Sequence, residues 1–199
     1  MITNLKKQHA AQVANLHIKG ISTGFISSLG VGFVTALYES IAEDKNSFGF
    51  VALEDDKVLG FAAFSSNLSK LYKFVIWKKG LKFGFIVARR MLSIQNIKKI
   101  GANLFYPKKM KQMNLPDAEL LSIVVAPEGR GKGIAKQFTE AGLEECRKRQ
   151  IEKVKVLVAA DNEAANKLYQ KCGFQLAAQI DSHGVKSNVF VVKVRNIGI

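Results

Sequence analysis

The 199-residue sequence has only two cysteines, three prolines and one tryptophan. Cys146 and Cys172 lack the paired spacing of a metal knuckle, so neither a metal site nor a disulfide framework is expected, and two such thiols fit a reducing, cytoplasmic compartment. An apolar leader is also missing. The opening residues MITNLKKQHA run into an amphipathic pattern, which argues against secretion. Residues 20–38 carry no charge, yet nine of them are Gly, Ser or Thr. That mixture is too polar for a spanning helix, and a loop leading into a helix is expected there. Internal repeats and low-complexity tracts are absent as well.

Acid is missing from one long stretch. Between Lys57 and Pro116 there are 13 basic residues and no Asp or Glu, whereas the rest of the chain holds 17 basic against 16 acidic residues. Nearly all of the formal charge of +14 therefore belongs to one segment, which implies a local electrostatic task or a local solvated face. Three readings compete. The bases line a cleft for an anionic acceptor, or the helix expected around Leu71–Leu92 lies on an anionic membrane surface, or the segment packs on a sheet and turns Lys and Arg to water. Nucleic acid ranks last as a partner, because no exposed aromatics are interleaved with the bases and no binding module is recognisable.

With 48% hydrophobic residues, the chain can bury one substantial core, and a single domain over 1–199 is expected. Its periodicity predicts a helix over 5–19, a loop ISTGFISSLG, and a helix marked by Phe33, Leu37 and Ile41. A hairpin follows about Glu54–Lys57, and then a long basic helical segment. In that segment Phe74, Trp77, Leu81, Phe85, Ala88 and Leu92 form the apolar stripe, and Pro107 and Pro116 bracket a basic loop. After residue 117, strands AELLSIVVA and KVKVLVAA alternate with helices at about 131–149 and 161–172, Gly173 closing the second. Two final strands pair across Asp181–Gly184. The class is α/β or α+β, with a mixed, mostly antiparallel sheet flanked by helices.

The stretch IVVAPEGRGKGIAKQF, 123–138, joins a strand to a helix through glycines. It is not a Walker loop, because Gly131-Lys132 is followed by Gly133 and position 126 is Ala. Nor is it a dinucleotide fingerprint, because position 136 is Lys. What remains is Arg130-x-x-Gly133-x-Ala135 at a helix N-terminus, where backbone N–H groups and the macrodipole suit a pyrophosphate. A tight turn that merely needs glycine is the competing explanation.

This loop, together with NEAANKLYQKCGF at Asn162–Phe174, resembles the two linked motifs of the GNAT family of N-acetyltransferases. The resemblance is specific over about residues 118–180. It leaves unexplained the stretch at about 66–115, which reads as a basic, mainly helical insertion. It implies acetyl-coenzyme A as acyl donor and no metal. It implies that Ile123, Val124 and Val125 run beside the pantetheine arm, that Arg130, Gly131, Lys132, Gly133, Ile134 and Ala135 wrap the pyrophosphate, and that Asn162 contacts the arm. Tyr169 would protonate the departing thiolate; the alternative is that Tyr169 only packs. Glu119 lies 11 residues before Arg130, where the histone-acetylating branch keeps its base, and a solvated strand-start glutamate is the plain alternative. The next strand, 153–160, has no acid, and His17 and His183 are weaker candidates. The expected activity is acetyl transfer to a primary amine, with charge favouring a small anionic acceptor such as a nucleotide-linked amino sugar. A protein or peptide amine, and a non-catalytic acyl-coenzyme-A-binding module at the inner membrane face, are the alternatives. A second copy of the chain is a further partner left open.

Overall fold

The computed structural model describes residues 1–22, 24–90, 106, 108, 110–182 and 185–194. Its seven strands are β1 (Ile2–Asn4), β2 (Ser47–Glu54), β3 (Lys57–Ser65), β4 (Glu119–Val125), β5 (Lys153–Ala159), β6 (Gln175–Ser182) and β7 (Val185–Lys193). They form one sheet in the order β1-β2-β3-β4-β5-β7-β6, in which only β4 and β5 run parallel. The mixed, mostly antiparallel sheet expected from the sequence is thus present. The helices are α1 (Ala10–Gly20), α2 (Phe25–Ser28), α3 (Val31–Glu43), α4 (Leu68–Arg90), α5 (Ile134–Lys148) and α6 (Glu163–Lys171).

Strand alternation splits the core between the two sheet faces. On β3, Val58, Phe61 and Ala63 join a cluster with Val13 of α1, Val34 of α3 and Leu71 of α4. Leu59, Ala62 and Phe64 face the other way, toward Phe138 of α5 and Tyr169 of α6. The Phe64 ring stacks on Phe48 at 5.1 Å and fits against α5 because position 142 has no side chain. A Cβ added at Gly142 would overlap that ring, so Gly142→Ala is expected to cost about 1–3 kcal/mol in urea unfolding, whereas Ala at exposed Glu140 should change little.

Several elements differ from their sequence reading. The first helix is a 3₁₀ turn, Lys7–His9, followed by α1, because the Lys6 N–H donates to His9 Nδ1 at 3.1 Å and fixes a local cap. Residues 2–4, not expected to be a strand, extend the sheet edge through Ile2↔Ala52. The loop ISTGFISSLG contains α2. The helix after the glycine loop starts at Ile134, not Gly131, because Gly131 and Gly133 have φ of +77° and +73°. Among the described side chains of α4, Leu68, Leu71 and Val75 are buried, while Trp77 of the expected stripe is 82% exposed. At the start of the helix Asn67 Oδ1 accepts the Lys70 N–H at 3.0 Å, and Leu68 and Leu71 join the core. In the expected loop 107–116, residues 108 and 110–112 are helical. The later part of the expected stripe and the Asp181–Gly184 turn fall wholly or partly outside the described side chains. Among the described residues no helix is long and apolar enough to cross a membrane.

Candidate functional site

The sheet opens where β4 and β5 part. Their ladder consists of Glu119↔Lys155 and Leu120↔Val156; beyond it β4 follows β3 to Val125 and β5 follows β7 to Ala159. The β4 edge facing β5 therefore has no ladder partner past Leu120. A bulge sits at the same point. Ala63 pairs with Ser122 and Phe64 with Leu120, leaving Leu121 as the extra residue. Alternation restarts after it, so Glu119, Leu121 and Ser122 share one face while Leu120, Ile123 and Val125 share the other.

At the far end of β4 lies the glycine loop. After the short 3₁₀ turn Pro127–Gly129, the chain passes through extended Arg130 and left-handed Gly131 to Gly133, the N-cap of α5. A glycine N-cap offers no side chain to the helix end, and the first turn holds no acid. The first closing bond runs from the Gln137 N–H to Gly133 O at 3.1 Å, so the N–H groups of Ile134, Ala135 and Lys136 precede the helical ladder. Nothing lies within 4 Å of a Cβ built on Gly131, and Arg130, Lys132 and Lys136 are exposed around the opening. This uncapped positive end, left open by the chain itself, can accept a diphosphate.

On the first face, a cavity of about 280 Å³ begins at the strand opening. Its polar lining is His17, Tyr38, Tyr72, Tyr106, Glu119 and Ser122; leucines and isoleucines from α1 to α4 and β4, with Leu157 of β5, supply most of the rest. Glu119 is 7% exposed. The Tyr106 hydroxyl donates to Glu119 Oε1 at 3.3 Å, and Lys155 Nζ lies 3.2 Å from Oε2. Burial raises the Glu119 pKa above the usual carboxylate value, and Lys155 and Tyr106 offset part of that rise. Burial, reinforced by the nearby Glu119 charge, keeps the Tyr72 and Tyr106 hydroxyls protonated. His17 Nδ1 is 2.7 Å from the Tyr38 hydroxyl, its ring stacks on Phe61, and burial lowers its pKa to about 4. A neutral imidazole results.

Tyr169 lies on the second face, 3% exposed, with ring centroids 5.6 Å from Phe174 and 6.5 Å from Phe190. Burial raises its pKa, so it carries its proton at working pH. Ile123, Val125 and Ile134, three of the expected coenzyme-site residues, pack against the same core cluster on this face. Val124 faces the other way, against Gly20 at the end of α1. Asn162 caps α6, its Oδ1 accepting the Ala165 N–H at 3.1 Å, which leaves its NH₂ group for other contacts. Glu119 and Tyr169 thus lie on opposite faces of the sheet. His183 falls outside the described residues. The sequence reading missed Lys155, Tyr38, Tyr72, Tyr106 and Ser122; each sits in a strand or helix pattern that gives no local sign of the cavity.

The model of the acetyltransferase (GNAT) family matches residues 23–174. The chain belongs to the GNAT acetyltransferase family. Members of this family take their acetyl group from acetyl-coenzyme A. Among solved structures, an N-acetyltransferase from Staphylococcus aureus Mu50 superposes with a TM-score of 0.64 at 19% identity, covering 98% of each chain. A putative acetyltransferase from Salmonella typhimurium, solved with its cofactor acetyl-CoA, gives 0.61 at 14% identity, covering 100% of this chain and 96% of that one. These likenesses establish the fold. A mycothiol acetyltransferase from Paenarthrobacter aurescens (strain TC1) is 43% identical over 56 residues, which is 28% of this GNAT chain but 17% of that relative. The match therefore spans less than a fifth of the relative's length.

Proposed function

We propose that the chain transfers an acetyl group from acetyl-coenzyme A to the primary amine of a small, largely apolar molecule. The observation that carries this reading is the buried carboxylate of Glu119 in a phenol-lined cavity at the opening between β4 and β5. Arg130 to Ala135 hold the diphosphate at the start of α5, Ile123 to Val125 offer the backbone edge to the pantetheine arm, and Asn162 meets the arm from the cap of α6. When bound, acetyl-coenzyme A supplies the acetyl group as a thioester.

Glu119 takes a proton from the acceptor ammonium, which frees the nitrogen lone pair. As the C–N bond forms at the acetyl carbonyl and the C–S bond breaks, Tyr169 gives its hydroxyl proton to the departing sulfur, and the second proton that the nitrogen sheds on becoming an amide restores the Tyr169 hydroxyl. The raised pKa of each group suits its part: a more basic carboxylate accepts a proton readily, and a buried phenol arrives protonated.

The acceptor class follows from the lining. Charge along the sequence favoured an anion, yet none of the 13 bases of residues 57–116 lines the cavity among the described residues. α4 turns Leu68, Leu71 and Tyr72 to the cavity, keeping Lys70 and Lys73 outside. Glu119 is the only acid in the described lining, and the phenol rings offer π-faces to a cation. The test is release of free thiol from acetyl-coenzyme A against a panel of alkyl and aralkyl amines, amino sugars and their nucleotides, polyamines and peptides. The fastest turnover is expected with the apolar primary amines. Turnover confined to nucleotide sugars or peptides would overturn the acceptor class, and coenzyme binding without turnover on any amine would identify a binding module.

A further inference from the structure

We propose that Lys155 is a positioning residue for the reaction: from β5 it holds Glu119 in place across the strand opening and keeps its carboxylate ionised between turnovers. The inference rests on Glu119 being the base. Lys155 is 2% exposed, unusual for a residue that is almost never fully buried unless paired. It stands directly opposite Glu119 in the last stretch where β4 and β5 pair, with Nζ 3.2 Å from Oε2. The same Nζ donates to the carbonyls of Pro116 and Asp117, and the Lys155 N–H donates to Ala118 O at 3.0 Å. Those bonds fix the strand entry from which the Glu119 side chain projects.

Nζ and Oε2 form an ion pair at 3.2 Å, and among the described residues no other donor reaches that oxygen. Oε1 is taken by the Tyr106 hydroxyl. Oε2 is therefore the atom able to receive a proton, and the lysine stabilises its charge without blocking it. Lys155 keeps its own protons throughout; the proton on Oε2 comes from the amine and returns to solvent after the product leaves. The other titratable groups around the carboxylate are Tyr106, Tyr72 of α4, and His17 and Tyr38 across the cavity. All of these are neutral by burial, so Lys155 is the only cation among the described groups facing Glu119.

The decisive experiment is the pH profile of kcat/KM for the wild type, Lys155→Met and Lys155→Gln, with Glu119→Gln beside them. Both lysine variants are expected to move the acid limb up by at least about one pH unit and to approach wild-type rates at high pH. Gln retains donors for the Pro116 and Asp117 carbonyls, so a Lys155→Gln profile on the wild-type limb would show that Lys155 is only an anchor and overturn the proposal. If Glu119→Gln keeps both its rate and its acid limb, the base assignment itself is wrong. Should Lys155→Met lose activity through instability, the melting temperature decides. Its loss relative to wild type is expected to grow as pH rises above the carboxylate range, where the buried acid must ionise alone. The double variant Lys155→Met/Glu119→Gln is expected to regain stability and to lose that pH dependence. A double variant no more stable than Lys155→Met would refute the coupling.

Discussion

Glu119→Gln is expected to lower kcat/KM by about 10²- to 10⁴-fold, the usual contribution of a positioned general base, with little change in affinity for the coenzyme. The glycine loop proposed for the coenzyme, Arg130–Ala135, lies at the far end of β4 and makes no contact that the substitution removes. The amide keeps an oxygen for the Tyr106 hydroxyl but has no basic lone pair for the ammonium proton. A stability cost accompanies the change, because Lys155 loses its carboxylate; the carbonyls of Pro116 and Asp117 still accept from it and limit that cost. Melting curves recorded beside the kinetics separate the two effects. Tyr169→Phe is the informative partner. It keeps the ring against Phe174 and Phe190, so stability should change little while the rate falls. The acid limb of the pH profile is expected to disappear in Glu119→Gln and to persist in Tyr169→Phe. Wild-type rates in Glu119→Gln on the preferred amine would remove the carboxylate from the chemistry and leave the cavity as a recognition site only.

The folded protein is expected to lose about 3 kcal/mol of stability through His17 alone as pH falls from 6.5 to about 4. The sign follows from proton binding. Burial holds the folded imidazole neutral down to about 4, whereas the unfolded side chain takes its proton near 6.5. Between those values the unfolded state binds more protons, so stability is fully present above the unfolded value and is lost on acidification. Among the described residues nothing on the folded side offsets the penalty: Nε2 is buried without a hydrogen-bond partner, and Nδ1 faces the Tyr38 hydroxyl. Glu119, with its raised pKa, contributes in the opposite direction, and His9 in the same one. The quantity to measure is therefore the difference between wild type and His17→Gln in urea unfolding at several pH values. That difference should shrink by about 3 kcal/mol from pH 6.5 to 4. A constant difference would mean that His17 ionises in the fold as it does in water.

Much of this protein was legible one short stretch at a time. The strand, glycine loop and helix from Glu119 to Lys148, the cap at Asn162, and the Gly173 stop with its φ of +85° depend on dihedral limits and on hydrogen bonds spanning a few residues. Those residues also carried the resemblance, which the family match over 23–174 bears out. Trp77 was misplaced in the inward stripe of α4, because the apolar residues on that helix fit two stripes and periodicity alone cannot choose between them. The strand at Ile2–Asn4 was missed because three residues carry no period of their own and owe their conformation to β2.

The site itself was decided by tertiary structure. In KVKVLVAA, Lys155 alternates with valines as any outward-facing lysine would, and Glu119 looks like a solvated strand start. Register places the two opposite each other, and tertiary packing buries both. The bulge at Leu121, which turns Ser122 to the same cavity, depends on pairing with Ala63 and Phe64 more than fifty residues earlier. The sequence by itself determined the family, most of the order of elements and the glycine loop, because those rest on local backbone chemistry. Only the fold decided that a carboxylate and three phenols line one cavity with a buried lysine paired to the carboxylate, because their meeting depends on strand register and helix packing between residues far apart in the chain.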